Sequence, residues 1–278
     1  MKKIVFLLLA SIVSWTYAQD KPEYGWKKGG HAGIMFSQAA FKNWMSGGQD
    51  ALSGAVTVNY GLDYNDSIQT WTNKFILLYG GTQVSSRFKK GDDQVEINSI
   101  YGRKLKNHWS FSYFANFKTQ LAPGYDYNIV PQIKISNFLS PAFFFTGPGM
   151  MYKPSDNFYV NIAPITSKLV IVTDPDLNAL GAYGVAPGKS LRYELGMNYQ
   201  MFFKLALMEN VTVENTLNLF SNYLDKPQNI DIDNRLNLLM KVNKYLSAGL
   251  NLRTIYDDNT FPGWQISEML GIQVGVDF

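Results

Sequence analysis

The feature that most constrains the fold of this chain is a recurring alternation of apolar and polar residues. Residues 229–242, NIDIDNRLNLLMKV, place aliphatic side chains on one face of an extended strand: Ile230, Ile232, Leu236, Leu238, Met240 and Val242. The opposite face carries Asp231, Asp233, Arg235 and Lys241. Successive side chains of a strand point to opposite sides of a sheet, so this strand has one apolar and one ionised face. A soluble barrel would turn its apolar face inward and expose its charges to water. A membrane barrel instead turns its apolar face to lipid and its polar face to the lumen, and the pattern of apolar and ionised faces favours this second arrangement.

The same alternation recurs along the chain. Residues 191–201 and 246–256 repeat it clearly, and residues 95–105 and 109–120 repeat it more weakly. About twelve such segments begin near residues 30, 51, 71, 93, 109, 142, 158, 190, 211, 230, 246 and 266. An even number of strands, with roughly 22 residues for each strand and its connection, suits single-chain bacterial barrels. The sequence therefore predicts an all-β fold, a transmembrane antiparallel β-barrel of about twelve strands.

The N-terminus has the composition of a secretory signal peptide. Lys2 and Lys3 precede an apolar run, and Ala18 completes a small-x-small cleavage site. We expect residues 1–18 to be removed, residues 19–28 to form a short periplasmic lead, and residues 29–278 to form the barrel. The chain has no Cys, so no disulfide framework, thiolate nucleophile or sulfur metal site is available.

The C-terminus and the connections predict the location and the orientation of the barrel. The final strand, LGIQVGVDF, ends on an aromatic residue, and Val274, Val276 and Phe278 form a predicted membrane-insertion signal. The alternative is an ordinary edge strand that ends the chain. Connections after even strands are short and those after odd strands tend to be longer, which places both termini in the periplasm. We therefore expect a Gram-negative outer-membrane location, with lipid and lipopolysaccharide around the barrel and the barrel-assembly machinery as a partner during insertion.

Two short motifs stand at the predicted external ends of strands. They are SQAAFKNWMSGG, Ser37–Gly48, and TQLAPGY, Thr119–Tyr125. This pattern resembles an uncharacterised family of Bacteroidota outer-membrane barrel proteins, and the resemblance implies a barrel without supplying a substrate, cofactor or catalytic residue. The candidate mouth residues are Gln38, Asn43, Trp44, Gly47, Gly48, Thr119, Gln120, Pro123, Gly124 and Tyr125. The alternative for the first motif is a hairpin in which Trp44 is an interfacial anchor and the two glycines make the turn.

The polar faces of the strands supply a second candidate site, the lumen. Its predicted charges are Arg192, Glu194, Glu214, Asp231, Asp233, Arg235, Lys241 and Arg253, with Asp277 near the end of the chain. We expect Arg192 to reach Glu214, and Arg235 and Arg253 to lie near Asp233. Two interpretations remain open: a lattice of ion pairs that fills the barrel, or a wet channel with charges of both signs. A barrel of about twelve strands lies between filled and open examples, so its size does not decide.

Several other classes of site are weak in this sequence. A net charge of +3 gives no argument for nucleic acid as a partner. The acidic clusters at residues 91–93, 174–176 and 257–259 lack the spacing of an EF-hand and are expected to be solvated loops, so no metal and no cofactor is predicted. The basic run at residues 87–90 is a solvated loop or a contact to lipopolysaccharide phosphate. His108 is expected in a short solvated turn, and Ser37 lies too far along the first strand to pair with His31.

The function expected from the sequence is a narrow channel or uptake barrel for small polar solutes. One alternative is a non-conducting structural or interaction barrel that acts through its external loops. A second is an outer-membrane lipid-modifying hydrolase, and the protein is otherwise expected not to be an enzyme.

Overall fold

Twelve antiparallel strands close into one barrel in the computed structural model, which describes residues 24–40, 50–84 and 87–278. The barrel strands are β1 (Gly25–Ala39), β2 (Ala51–Asn65), β3 (Gln69–Val84), β4 (Arg87–Lys104), β5 (Trp109–Thr119), β8 (Ala142–Ser155), β9 (Phe158–Ile171), β10 (Leu191–Met208), β11 (Val211–Asn222), β12 (Ile230–Lys241), β13 (Leu246–Asp257) and β14 (Phe261–Asp277). Each strand pairs with its neighbours in the barrel, and β1 closes on β14. The predicted fold class and strand number are confirmed.

Several strands are longer than the sequence pattern indicated. β1 begins at Gly25, inside the stretch assigned to a periplasmic lead, because Trp26 packs against Tyr64 at 5.2 Å and Trp71 at 6.0 Å between ring centroids. The prediction of a loop at residues 87–90 is wrong, since these residues begin β4 and pair with β3. Hydrogen bonding to a neighbouring strand extends both elements beyond the alternating part of their sequences.

The outer face of the barrel is apolar. In β14, Ile272 and Val274 are about half exposed, at 48% and 47%, whereas Gln273 between them is 6% exposed. The same alternation holds in β10, where Tyr193 is exposed and Glu194 is buried. In a closed barrel the buried set faces the lumen and the exposed set faces outward, so the outward surface suits hydrocarbon.

The seam between β1 and β14 joins the two ends of the chain. Phe278 and Gly30 exchange two backbone hydrogen bonds of 2.7 and 3.0 Å, and the pairing continues from His31 to Phe36. The ring of Phe278 stacks with Tyr60 of β2, with 6.3 Å between centroids. A Cβ at Gly30 would lie 2.7 Å from Phe278 Cζ, so only glycine fits beneath this ring.

The two ends of the barrel differ in their connections. One end, here called the short-turn end, carries brief turns such as residues 66–68 and 156–157 together with Phe278. The other, the long-loop end, carries residues 120–141 and 172–190. These two segments contain a two-stranded sheet of β6 (Gly124–Asp126) and β7 (Ile133–Ser136), the helix α1 (Pro175–Ala179) and a 3₁₀ turn, η1 (Ala182–Gly184). Within the described residues, no helix is both long and apolar enough to span a membrane.

The two long loops pack together into one structure, here called the lid. Val172, Leu177 and Val185 from the second loop form an apolar cluster with Val170 of β9, and all four are 3% exposed or less. Tyr183 Oη donates a 2.6 Å hydrogen bond to the carbonyl of Ile135 in the first loop. Apolar burial and hydrogen bonding therefore fix the lid on the long-loop end of the barrel.

Candidate functional site in the lumen

A cavity of about 320 Å³, here called the chamber, lies inside the barrel next to the lid. Its volume falls at the lower end of the range of roughly 300–1,000 Å³ typical of small-molecule pockets. Ile135, Ser136 and Tyr183 of the lid border it on one side. Its walls are partly aromatic, from Phe143, Phe145, Phe220 and Tyr256, and partly ionised, from Glu96, Lys118, Lys168, Asp231, Asp233, Arg253 and Asp257.

An ion pair holds the two loops of the lid together. Lys134 Nζ lies 2.8 Å from Asp174 Oδ2, and Asn137 Nδ2 donates to the same carboxylate oxygen at 2.8 Å. Asp174 also accepts the backbone N–H of Leu177 at 3.2 Å and so caps α1. Burial by itself would raise the pKa of Asp174, but these hydrogen bonds outweigh burial and lower the pKa to about 2. Hydrogen bonds to Asp174 and Asp176 raise the pKa of Lys134.

Below the lid, Asp233 of β12 gathers three cations. Arg253 of β13 binds it with two nitrogens, Nε at 2.9 Å and Nη2 at 2.7 Å. Lys118 Nζ of β5 lies 2.6 Å from Asp233, and Arg235 Nη2 lies 3.4 Å from it. Four strands separate β5 from β12 on the shorter path around the barrel, so the Lys118–Asp233 ion pair crosses the lumen.

A second ion pair crosses the full width of the lumen. Arg235 Nη1 lies 2.6 Å from Glu96 Oε2 of β4, and five strands separate β12 from β4 in either direction. Glu96 also accepts hydrogen bonds from Gln94 at 2.6 Å and from Asn98 and Asn116 at 2.9 Å each. Buried charges need such complete pairing to offset their loss of hydration. The side chains around Asp233 and Glu96, here called the crossing network, thus join opposite walls.

Lys168 of β9 organises a separate charged cluster beside the chamber. Its Nζ lies 2.7 Å from Asp231, 3.3 Å from Glu194 and 4.0 Å from Asp257. The same ammonium lies over the rings of Phe220 and Phe145, at 5.0 and 5.7 Å from their centroids. Carboxylates and aromatic faces both attract cations, so this wall of the barrel suits an ammonium group.

Apolar side chains fill part of the lumen on the short-turn side of the crossing network. Ile100, Phe114, Met151 and Ala163 form a cluster in which each residue is 5% exposed or less. Phe145 and Tyr159 pack against it. On the opposite side of this region Lys74 of β3 lies over the ring of Phe202 of β10 at 5.5 Å. The described lumen therefore contains a chamber, a charged crossing network and an apolar filling in succession.

The structure brings some of the predicted lumen charges together and separates others. Arg235 and Arg253 lie on Asp233, as described above. The expected contact between Arg192 and Glu214 is wrong. Arg192 instead pairs with Glu194 at 2.8 Å, and Glu214 pairs with Lys204 at 2.8 Å. The register places Glu214 opposite Lys204, twelve residues along β10 from Arg192, or roughly 40 Å in an extended strand.

Several predicted charges lie at the short-turn end, away from the chamber. Lys241 Nζ lies 3.0 Å from Asp277, which also accepts a 2.7 Å hydrogen bond from His31 Nδ1. The other ring nitrogen of His31 lies 2.8 Å from Gln273 Nε2. Among the described contacts of His31 there is no serine or threonine hydroxyl. This cluster is consequently a patch of polar side chains on one side of the short-turn end.

The prediction that the two sequence motifs meet at one mouth stays a prediction, because part of the first motif lies outside the described residues. Asn43, Trp44, Gly47 and Gly48 lie outside the described residues. Gln38 borders a small cavity with Gln83, which is separate from the chamber. Thr119 and Gln120 do border the chamber.

The second motif anchors the base of the lid. Thr119 Oγ1 donates to the carbonyl of Pro141 at 3.2 Å, and Gln120 Nε2 donates to that of Ser140 at 3.2 Å. Pro123 precedes β6, in which Gly124 and Tyr125 pair with β7. The residues of this motif therefore hold the first lid loop against the barrel wall.

The expectation that the three acidic clusters are solvated is wrong for one residue in each. Asp93, Asp174 and Asp257 have side chains that are 1%, 4% and 11% exposed. Each accepts backbone N–H groups of a turn or loop, those of Asn259 and Thr260 in the case of Asp257. These hydrogen bonds replace the water that would otherwise solvate the carboxylates.

Sequence reasoning missed three residues of the lumen: Glu96, Lys118 and Lys168. Glu96 and Lys118 lie in segments whose alternation is weak, although Glu96 stands between Val95 and Ile97 and Lys118 follows Phe117. Lys168 follows Thr166 and Ser167 and precedes an apolar run, so its neighbours give no contrast. A single charge at an inward position of a strand was the available signal, and only the register between strands shows which partner it meets.

Comparison with known proteins adds a family for part of the chain. Residues 36–125 match a protein family of unknown function, DUF3078. This range includes both sequence motifs, but it is less than half of the chain. The Bacteroidota origin and the status of the motifs as family signatures remain predictions. No curated protein sequence matches the chain.

Solved structures similar to this one are outer-membrane barrels of low sequence identity. An outer membrane channel from Pseudomonas putida F1 shares 11% identity at a TM-score of 0.42, covering 94% of this chain and 100% of that one. The NanC porin shares 9% identity at a TM-score of 0.39, and the match covers 90% of this chain and 98% of the porin. Outer membrane phospholipase A from Escherichia coli also shares 9% identity at a TM-score of 0.39, and the match covers 90% of this chain and 97% of the phospholipase. These values describe a general likeness of architecture and give no information about activity.

Proposed function

We propose that this protein is an outer-membrane uptake barrel that binds a small polar solute in the chamber and is closed below it at rest. The chamber lies at the long-loop end, which we place outside the cell because long loops of such barrels are external. The Arg235–Glu96 ion pair across the lumen carries this proposal, since a continuous open pore would not have side chains bonded across its full width.

Transport through this barrel requires the crossing network to open. The side chains of its ion pairs are 5–21% exposed. Removing one partner of a buried pair costs about 3–5 kcal/mol because the other charge is left uncompensated, and partial exposure reduces this cost. Opening is favourable only if a solute or a partner supplies replacement contacts. The proposed protein is therefore a gated barrel rather than a permanently open porin.

Conductance measurements on matched variants test this proposal. The double variant Glu96→Gln/Arg235→Met removes both charges of the crossing pair, so the net charge of the crossing network is unchanged and neither partner is left as a lone buried charge. The control, Lys204→Gln/Glu214→Gln, removes an ion pair between neighbouring strands near the short-turn end. In planar bilayers we expect the wild type and the control to be nearly silent and the crossing variant to conduct at least tenfold more.

The same conductance measurement distinguishes the uptake barrel from a second candidate function, a non-conducting interaction barrel. The apolar filling beside Phe114 favours that alternative, because it obstructs the lumen independently of the charges. If the crossing variant is as silent as the wild type, the uptake proposal fails and the interaction barrel takes its place. If the wild type itself conducts steadily, the closed resting state is wrong.

We propose a non-enzymatic role for the His31 cluster. Both ring nitrogens of His31 have partners, Asp277 and Gln273. The hydroxyl of Thr57 accepts a 3.0 Å hydrogen bond from Gln273 Nε2 and donates to the carbonyl of Gly33 at 3.4 Å, so it does not bond His31. A nucleophile activated by histidine requires a direct hydrogen bond to it. Hydrolysis of phospholipid by the purified barrel, lost in His31→Ala, would contradict this assignment.

A further inference from the structure

We infer that the solute bound in the chamber is an organic cation, an amine that carries an aromatic or other flat apolar group. This inference rests on the proposed function, because it takes the chamber as the first binding site of the solute.

The charges of this part of the wall do not cancel. Lys168 and Arg192 face four carboxylates, those of Glu194, Asp231, Asp257 and Asp258, which is an excess of two negative charges. The crossing network has three cations for two carboxylates, and its single excess positive charge offsets only half of this. Carboxylate oxygens of Asp231, Asp257 and Asp258 lie within 4.8 Å of one another. Uncompensated carboxylates at this spacing repel each other in a partly buried site, and an added cation relieves the repulsion.

Two buried amide oxygens of β10 indicate, independently of the charges, that the ligand carries hydrogen-bond donors. Asn198 and Gln200 of β10 border the chamber and are 3% and 6% exposed. Asn198 Oδ1 and Gln200 Oε1 have no hydrogen-bond partner among the described residues. A buried acceptor without a donor costs about 1–3 kcal/mol, so these positions favour a ligand rich in N–H groups.

The register places the acceptors, the acids and an aromatic ring side by side. Asn198 pairs with Phe220, and Phe220 pairs with Asp231. Asp257 follows Tyr256, which pairs with the residue after Asp231. One row of inward side chains across β10 to β13 thus offers an amide oxygen, a phenyl face and two carboxylates.

Lys168 shows that this wall accommodates an ammonium group. Its Nζ already lies against Phe220 and Asp231, and the remaining carboxylate oxygens and amide oxygens are left for a second cation. On β14, Gln265 Nε2 is a chamber-lining donor without a partner, which suits an oxygen at the far end of the ligand. A phenol with an aminoethyl chain matches both features.

Calorimetric titration of the full-length barrel in detergent micelles at pH 7 tests this inference with three probes of one skeleton. They are tyramine, the neutral tyrosol and the anionic 4-hydroxyphenylacetate. We expect tyramine to bind at least tenfold more tightly than tyrosol, and 4-hydroxyphenylacetate not to bind. A binding site on micelles alone would be unchanged by substitutions in the chamber.

Variants assign the binding to the chamber wall. Asp257→Asn keeps an acceptor for the turn N–H groups but removes the charge, and we expect it to weaken tyramine binding about tenfold or more. Gln200→Met removes one unpartnered oxygen at similar volume and should weaken it several-fold. Asp225→Asn, in an exposed loop, is the matched control and should leave the affinity unchanged.

The outcomes distinguish this inference from the proposed function. Equal or tighter binding of the anion or the neutral probe, no binding of any probe, or tyramine binding unaffected by both Asp257→Asn and Gln200→Met overturns the cation inference. Preferential binding of Ca²⁺ to the wild type over tyramine does so too. None of these results bears on whether the crossing variant conducts. Conversely, tyramine binding to a barrel that is silent in every variant overturns uptake and leaves the inference standing.

Discussion

At the scale of single residues, the carboxylate of Asp174 shows how one side chain joins separate parts of the lid. It caps α1, and it binds Lys134 and Asn137 from the other loop. Its side chain is 4% exposed, whereas that of Asp176, the second partner of Lys134, is 76% exposed. Exposed ion pairs contribute little, so Asp174 is the carboxylate that stabilises the lid.

Substitution of Asp174 should loosen the lid without unfolding the barrel. Asp174→Asn retains an N-cap acceptor but loses the charge, and we expect amide exchange in β6, β7 and α1 to accelerate roughly tenfold at neutral pH. Asp176→Asn is the control and should change exchange little. Hydrogen exchange followed by mass spectrometry measures both. Equal protection in the two variants would show that the buried pair does not hold the lid.

The pH dependence of the lid follows from the same pair. The pKa of Asp174 is lowered from 3.8 to about 2, so its contribution to the stability of the lid is fully present above about pH 4 and is lost as the pH falls through about 2. The pKa of Lys134 is raised from 10.5, so its contribution to the stability of the lid is full below that value and is lost only at higher pH. The protection of the lid amides against hydrogen exchange should therefore be constant between about pH 4 and pH 10, after correction for the intrinsic exchange rate.

At the scale of elements, the seam between β1 and β14 depends on a close fit between a glycine and an aromatic ring. A Cβ at Gly30 would meet Phe278 Cζ at 2.7 Å and the carbonyl oxygen of Asn59 at 2.8 Å. At Gly29 the nearest atom would be the backbone oxygen of Phe278, at 3.6 Å. The backbone at Gly30 cannot yield easily, because it forms two hydrogen bonds to Phe278.

Alanine substitutions at these two glycines make a matched test of the seam. We expect Gly30→Ala to lower the free energy of unfolding by about 1–3 kcal/mol through overpacking. Gly29→Ala should change it by less than about 0.5 kcal/mol or stabilise slightly. Urea titrations of the two variants in the same micelles compare them. Equal stability would mean that Phe278 is not held against β1.

The strands were predictable because their signal is local. In β12 and β14 an alternating sequence reports its own orientation, and most predicted starts lie within a few residues of the observed ones. The lid was not predictable, since Tyr183 meets Ile135 across 48 residues of chain through contacts between two loops. The partners of the lumen charges were also hidden, because Glu96 and Arg235 meet only after the barrel closes. The local sequence pattern predicts whether a side chain points to the lumen or to the outside. Which side chains it contacts across the lumen depends on the strand register and on the closure of the barrel.

At the scale of the whole molecule, two environments are separated by one layer of backbone. The outer surface presents apolar residues such as Leu270 and Val276, at 61% and 47% exposure. The lumen encloses ionised groups that are paired with one another across its width. Such an arrangement is stable only if hydrocarbon surrounds the barrel, since in water the apolar surface would drive association. The proposed gating and the proposed solute binding both depend on this division.

The absence of Cys from the natural sequence makes the division directly measurable with single cysteine variants. A nitroxide is attached in reconstituted bilayers at Ile272→Cys or Leu270→Cys, which face outward, and at Ser267→Cys, which faces the lumen and bonds Asp92 at 2.9 Å. We predict that the labels at the first two sites are relaxed mainly by lipid-soluble oxygen, and the label at the third mainly by a water-soluble nickel complex. Higher accessibility of the labels at residues 270 and 272 to nickel than to oxygen would contradict an outward apolar face.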